Sequence, residues 1–126
     1  MRTENLVKEK SFDFAVRCVK LRRYLMDKQN EYVLSKQLLR SGTSIGANVK
    51  EALRGQSRAD FGAKMNISLK EASESEYWIE LLYATEYITK DEYDSIITDC
   101  VELIKMLTSI VKTTFETKKS VIIKIA

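Results

Sequence analysis

The most regular pattern in the chain is a stripe of residues between positions 34 and 52, spaced alternately by four and three. This spacing places all of its members on one face of an α-helix. An unpaired polar group in a core costs roughly 1–3 kcal/mol, so polar members of such a stripe need partners in a bundle or a place at an interface. The polar members here are Ser41 and Asn48; the whole stripe is Leu34, Leu38, Ser41, Ile45, Asn48 and Ala52.

Apolar periodicity predicts another helix before this one, over about residues 5–29. Its apolar residues form two neighbouring stripes, which is more than one helix partner requires, so we expect this helix to contact two partners. The second of its stripes consists of Phe12, Val16 and Val19. On the following helix, Gly42 and Gly46 lie one turn apart and predict a close approach of a neighbouring helix.

The helix that carries the first stripe spans about residues 31–54, and the same periodicity predicts two further helices, over about residues 57–88 and 89–117. Four long helices with short connections favour antiparallel neighbours. The sequence therefore predicts an all-α fold, an antiparallel up-down-up-down four-helix bundle over residues 1–117. Residues 118–126 form an apolar, β-branched tail that is predicted to be disordered or docked on another surface.

Composition agrees with this fold class. The chain has 126 residues, no proline and four glycines, which fits one domain without the turn residues that strands require. Its apolar runs fall short of the roughly 20 residues that span a bilayer, and its first residues lack the apolar core of a signal peptide. We therefore expect a cytoplasmic protein with no membrane partner.

Candidate chemistry is scarce. The chain has no histidine, and Cys18 and Cys100 lie on apolar stripes, where free cysteine acts as a small buried hydrophobe. Without histidine or a serine–lysine motif, nothing activates a nucleophile, so we predict no catalytic residue, no cofactor, no metal and no enzyme activity. Glu76 is the charged residue on the predicted inner face of the third helix. It is predicted to accept hydrogen bonds from Ser41 and Asn48 in a polar layer that fixes helix register.

Charge is distributed unevenly along the chain. Residues 1–64 hold 14 Lys and Arg against 7 Asp and Glu, residues 65–117 hold 4 against 11, and residues 118–126 hold 3 against none. The basic half could bind phosphates, or the two halves could attract each other when copies assemble, and the sequence favours neither. The candidate phosphate-binding residues are Arg17, Lys20, Arg22, Arg23, Lys36, Arg40, Lys50, Arg54 and Arg58.

Two segments point to a family. Residues 37–52 read QLLRSGTSIGANVKEA, residues 69–82 read LKEASESEYWIELL, and Phe61 lies between them. Over about residues 5–117 the chain resembles the bacterial four-helix-bundle proteins that are also called large-subunit ribosomal RNA intervening-sequence proteins.

The resemblance implies a homopentamer of small antiparallel bundles. Some family members are encoded inside insertions in ribosomal RNA genes, and related proteins assist reverse transcriptases, using a basic surface that engages nucleic acid. We therefore expect a homo-oligomer whose partner is RNA or a nucleic-acid-processing protein; the alternative is an adaptor oligomer that binds a protein without nucleic-acid contact. The matching positions, which have no established catalytic role, are Arg40, Ser41, Ser44, Asn48, Glu51, Glu71, Glu76, Tyr77 and Trp78.

Overall fold

A computed structural model describes the backbone of residues 2–125 and the side chains of residues 2–116. It contains four α-helices and, within that backbone, no strand. The predicted all-α four-helix bundle is confirmed. The helices are α1 (Arg2–Gln29), α2 (Leu34–Leu53), α3 (Arg58–Ala84) and α4 (Lys90–Ile125).

The helices pack in chain order. Extensive contacts join α1 to α2, α2 to α3 and α3 to α4, and the fourth neighbouring pair, α1 and α4, has fewer contacts. Because the connections are short, successive helices run antiparallel, which gives the predicted up-down-up-down arrangement. The core lies along the bundle axis, and its largest fully buried side chains include Phe14, Leu25, Leu38, Ile45, Met65, Ile79, Leu82, Leu103 and Leu107.

Helix α2 starts at Leu34, three residues later than predicted, because the carboxylate of Glu31 caps it. Glu31 Oε2 accepts hydrogen bonds from the backbone N–H groups of Val33 (3.0 Å) and Leu34 (2.8 Å), and its Oε1 accepts from Ser35 (2.7 Å). These are N–H groups that a helix cannot satisfy within its own first turn. Glu31 is therefore a capping residue and not the first residue of the helix.

The last two helices also differ from the predicted bounds. Helix α3 ends at Ala84 because Glu86 adopts a left-handed φ of 68° and the Tyr87 N–H returns to the Leu82 carbonyl at 2.9 Å, which closes the helix end. Helix α4 continues to Ile125, past the predicted end near residue 117. The side chains of the predicted tail lie outside the described residues, so its docking stays a prediction.

The predicted polar layer is wrong in its partners. The hydroxyl of Ser41 is buried and pairs with the hydroxyl of Ser75 at 2.8 Å. Asn48 donates to the Ser44 carbonyl of its own helix at 2.8 Å. Glu76 is half-buried and accepts neither of these hydrogen bonds. The reason is the rotation of α3, which turns Ser75 to the core and Glu76 to its edge.

Small residues bring α1, α2 and α3 close together. Ser68 of α3 is buried and donates to the Ile45 carbonyl of α2 at 2.8 Å. A Cβ atom on Gly42 would overlap the Sγ of Cys18 and lie 3.5 Å from the Phe14 ring of α1. The close approach that the two glycines of α2 predict is therefore confirmed for Gly42.

Candidate nucleic-acid interface

The side of α2 that faces away from the core, together with the C-cap residue of the helix, carries a row of six residues, four of which are cationic. Its members are spaced four, three, four, three and four residues apart, so they lie in one line along the helix. From first to last they span 18 residues, or about 27 Å at 1.5 Å per residue. None is acidic, and all but the half-buried Thr43 are exposed. This outer basic stripe consists of Lys36, Arg40, Thr43, Ala47, Lys50 and Arg54.

The cations of the stripe are not equally free. Arg40 forms ion pairs with two carboxylates of α3, Glu71 at 3.3 Å and Glu74. Among the described side chains, no ion pair involves Lys36, Lys50 or Arg54. Three positive charges of the stripe are therefore available to an external anion, and the fourth is largely balanced inside the chain.

Arg17, one of the candidate phosphate-binding residues, lies on a different surface from the outer basic stripe. Its guanidinium donates to Asp99 Oδ2 at 2.6 Å, to the Ser95 hydroxyl at 2.7 Å and to the Ser95 carbonyl at 3.1 Å. A second ion pair, between Lys10 and Glu102, bridges the same two helices. Arg17 therefore ties α1 to α4, the pair of neighbouring helices with the least contact, and its charge faces a carboxylate.

The other predicted phosphate-binding residues are scattered. Lys20 lines a groove of about 480 Å³ between α1 and α4 together with Arg17. Arg22 is half-buried, and its Nε has no hydrogen-bond partner among the described atoms, whereas Arg23 is exposed. Arg58 opens α3 and lines a separate groove against α4. The nine candidates do not form one surface; the outer stripe brings together four of them.

A groove of about 900 Å³ runs beside the stripe, between α1 and α2. Its lining includes Lys50 and Thr43 from the stripe, and Lys8 and Phe12 from α1. Phe12 is 67% exposed, which is unusual for a phenyl ring. Phe12 belongs to the second apolar stripe of the first helix, and its four-residue spacing from Lys8 is the sequence signal that connects the two residues.

The comparisons with known proteins agree with the fold. The model of the 23S rRNA-intervening sequence protein family matches residues 3–109, most of the chain. The chain belongs to this family. No curated protein matches it. A crystal structure of an S23 ribosomal protein family member of unknown function from Bacteroides thetaiotaomicron is 59% identical, with a TM-score of 0.86; the match covers 87% of this chain and 98% of that one.

The residues that the family resemblance singled out meet mainly where α2 packs on α3. Arg40 reaches the two carboxylates of α3 described above, and one of these, Glu74, also accepts a hydrogen bond from the Trp78 indole at 3.0 Å. Tyr77 is exposed and packs edge-to-face on Trp78, with ring centroids 5.1 Å apart. In this family member the motif residues thus hold two helices together, and the outer basic stripe lies beside them.

Both thiols are packed in the core. Burial raises the pKa of Cys18 to about 12 and raises the pKa of Cys100 as well, so both are protonated at neutral pH. Cys100 donates to the Ala72 carbonyl at 3.3 Å. In the described part of the chain, no cluster of three or more carboxylate or thiol ligands could hold a metal ion, and no helix is long and apolar enough to cross a membrane.

Proposed function

We propose that this family member is a non-enzymatic, homo-oligomeric bundle in the cytoplasm that binds RNA through the outer basic stripe. The observation that carries the proposal is the arrangement of Lys36, Lys50 and Arg54, which are exposed, lie in one line along α2 and its C-cap, and have no ion-pair partner among the described side chains. Phosphate contacts of this kind are independent of sequence and depend steeply on salt. The family's association with 23S rRNA intervening sequences supports RNA as the ligand.

Assembly would multiply the effect of a short stripe. One chain contributes few phosphate contacts, whereas a ring of five copies, which the family resemblance implies, presents five stripes to one strand. Exposed apolar side chains away from the stripe support contact between copies: on α3, Ile67 is 41% exposed and Tyr77 is 58% exposed. A homopentamer that binds RNA, alone or with a nucleic-acid-processing protein, is therefore the proposed active form.

The test is fluorescence anisotropy with a short labelled single-stranded RNA over a salt series. The logarithm of the binding constant should fall linearly with the logarithm of salt concentration, by about 0.7 for each phosphate contact. The double variant Lys36→Gln/Lys50→Gln should bind more weakly and reduce that slope by about 1.4. Lys105→Gln, which removes an exposed charge from α4, is the matched control and should leave the slope unchanged.

Light scattering after size exclusion completes the test. The wild type should have about five times the mass of one chain. Absence of binding at about 50 mM salt by an intact oligomer would refute the RNA proposal and leave the adaptor that binds a protein partner. If the double variant instead lost mass, the stripe would be a contact between subunits.

A further inference from the structure

The groove between α1 and α2 has an aromatic ring on one wall and room above it. Phe12 contributes the ring, and the opposite wall is formed by small residues of α2, Gly46 and Ala47. No aromatic or large apolar side chain of α2 lines the groove, which explains why Phe12 remains 67% exposed. The volume of about 900 Å³ falls within the range of small-molecule sites and is large enough for a nucleobase.

The cations and the carboxylates that line the groove lie on different sides of α1. Lys8 lies one turn before Phe12 on the side of α1 that faces α2, and Lys50 projects from the opposite wall. Glu9 and Asp13 also line the groove, but helical geometry places them on the side of α1 away from α2. A phosphate is therefore attracted to the α2 side of Phe12 and repelled from its other side.

We propose that this groove holds an unpaired nucleotide, with its base stacked on Phe12 and its flanking phosphates beside Lys8 and Lys50. The inference rests on the proposed RNA binding and adds the class of ligand, which is single-stranded RNA. Asn5 lines the same groove and supplies a side-chain amide for the edge of the base, whereas the Thr43 hydroxyl donates to the Leu39 carbonyl at 2.7 Å and can only accept. A paired base is enclosed by its neighbours in the helix, so only an unpaired base can stack on a side chain in this position.

The first experiment removes the ring without changing charge. Phe12→Ala should weaken binding of a single-stranded RNA by about 5- to 150-fold, the usual loss for one base–aromatic stack. The salt slope should stay at its wild-type value, because Phe12 contacts no phosphate. Affinity for a duplex of the same length should not change. Phe115→Ala, which removes an exposed phenyl ring of α4, is the matched control and should bind as the wild type does.

The second experiment detects the stack directly. Trp78 is the only tryptophan, so the variant Phe12→Trp/Trp78→Phe carries one indole in the groove. Adding single-stranded RNA should quench its fluorescence, and adding the duplex should not. The charge polarity gives an independent check: Glu9→Gln should tighten single-strand binding, and Lys8→Gln should weaken it and lower the salt slope by about 0.7.

The outcomes separate this inference from the function on which it rests. Binding that depends on the outer basic stripe but is unaffected by Phe12→Ala would overturn the stacking site and leave the proposed function standing. Equal losses for duplex and single strand would also overturn it. A fall in the mass of Phe12→Ala in light scattering would assign Phe12 to contact with a second copy of the chain. Absence of any RNA binding by the wild type would overturn both.

Discussion

Glu31 gives a sharp test of the fold, because a single buried carboxylate closes the start of α2. The side chain is 6% exposed and accepts three backbone hydrogen bonds, at 3.0, 2.8 and 2.7 Å. In Glu31→Gln one oxygen is replaced by an amide nitrogen, which cannot accept a hydrogen bond from the backbone. At least one N–H group at the start of α2 then loses its partner.

The size of the effect follows from that geometry. Loss of a helix cap costs about 0.5–2 kcal/mol, and hydrogen bonds to a charged group contribute about 1.5–3 kcal/mol each. Because Gln keeps one acceptor oxygen, we expect the free energy of unfolding to fall by about 2 kcal/mol at neutral pH. Urea denaturation at fixed protein concentration measures this difference. Glu80→Gln, an exposed position on α3, is the control and should change stability by less than about 0.5 kcal/mol.

The difference in unfolding free energy between wild type and Glu31→Gln must also depend on pH. Burial alone would raise the pKa of Glu31, but the hydrogen bonds from Leu34, Ser35 and Val33 outweigh it and hold the pKa below its ordinary value of 4.5. The carboxylate therefore stabilises the fold fully above pH 4.5, and this contribution is lost as pH falls through the folded-state pKa. The difference in unfolding free energy between wild type and Glu31→Gln should narrow as the pH falls below 4.5. A difference of zero at neutral pH, or one that does not change with pH, would refute the reasoning.

Two further predictions concern helix packing. Gly42→Ala should lower the free energy of unfolding by about 1–2 kcal/mol, because its Cβ would overlap the Sγ of Cys18. Gly46→Ala should be neutral or stabilising by up to about 1 kcal/mol, since its Cβ would meet nothing closer than 3.4 Å. Thermal or urea denaturation distinguishes the two variants, and equal effects would contradict this packing. Asn48→Leu should change stability by less than about 1 kcal/mol, because its amide bonds only within its own helix, and a larger loss in the same assay would restore the polar layer.

The fold was predictable because its information is local. The alternating spacing of α2 needs only the period of a helix. The predicted starts of the last two helices, residues 57 and 89, are helix caps in the structure: Ser57 accepts from the Asp60 N–H at 3.0 Å, and Thr89 exchanges hydrogen bonds with Glu92. Both caps join residues three positions apart. Local spacing was sufficient for these features.

The incorrect predictions concern the rotation of a helix about its axis and contacts between residues that are distant in sequence. A shift of one residue in the inner face of α3 exchanges Glu76 for Ser75, and both patterns have the same helical period. The hydrogen bond from Arg17 to Asp99 joins residues 82 positions apart, which no local pattern can reveal. Glu31 was missed for another reason, since its carboxylate reaches the start of α2 from outside the helix and resembles a first-turn acid in the sequence.

The net charge counted along the chain overstates the positive charge of the candidate interface, because some of the cations are paired within the chain. Arg17 and Arg40 contribute to the basic balance of residues 1–64, yet each faces a carboxylate from the acidic half of the chain. Part of the charge asymmetry therefore stabilises helix packing within one chain. This part is explained without RNA binding and without assembly of copies. The positive charge left for an outside partner lies on the outer face of α2, where Lys36, Lys50 and Arg54 are exposed. A phosphate chain along that face meets these three cations, which have no ion-pair partner among the described side chains, although the exposed Glu51 lies beside them; the stripe, and not the total charge, therefore carries the functional proposal.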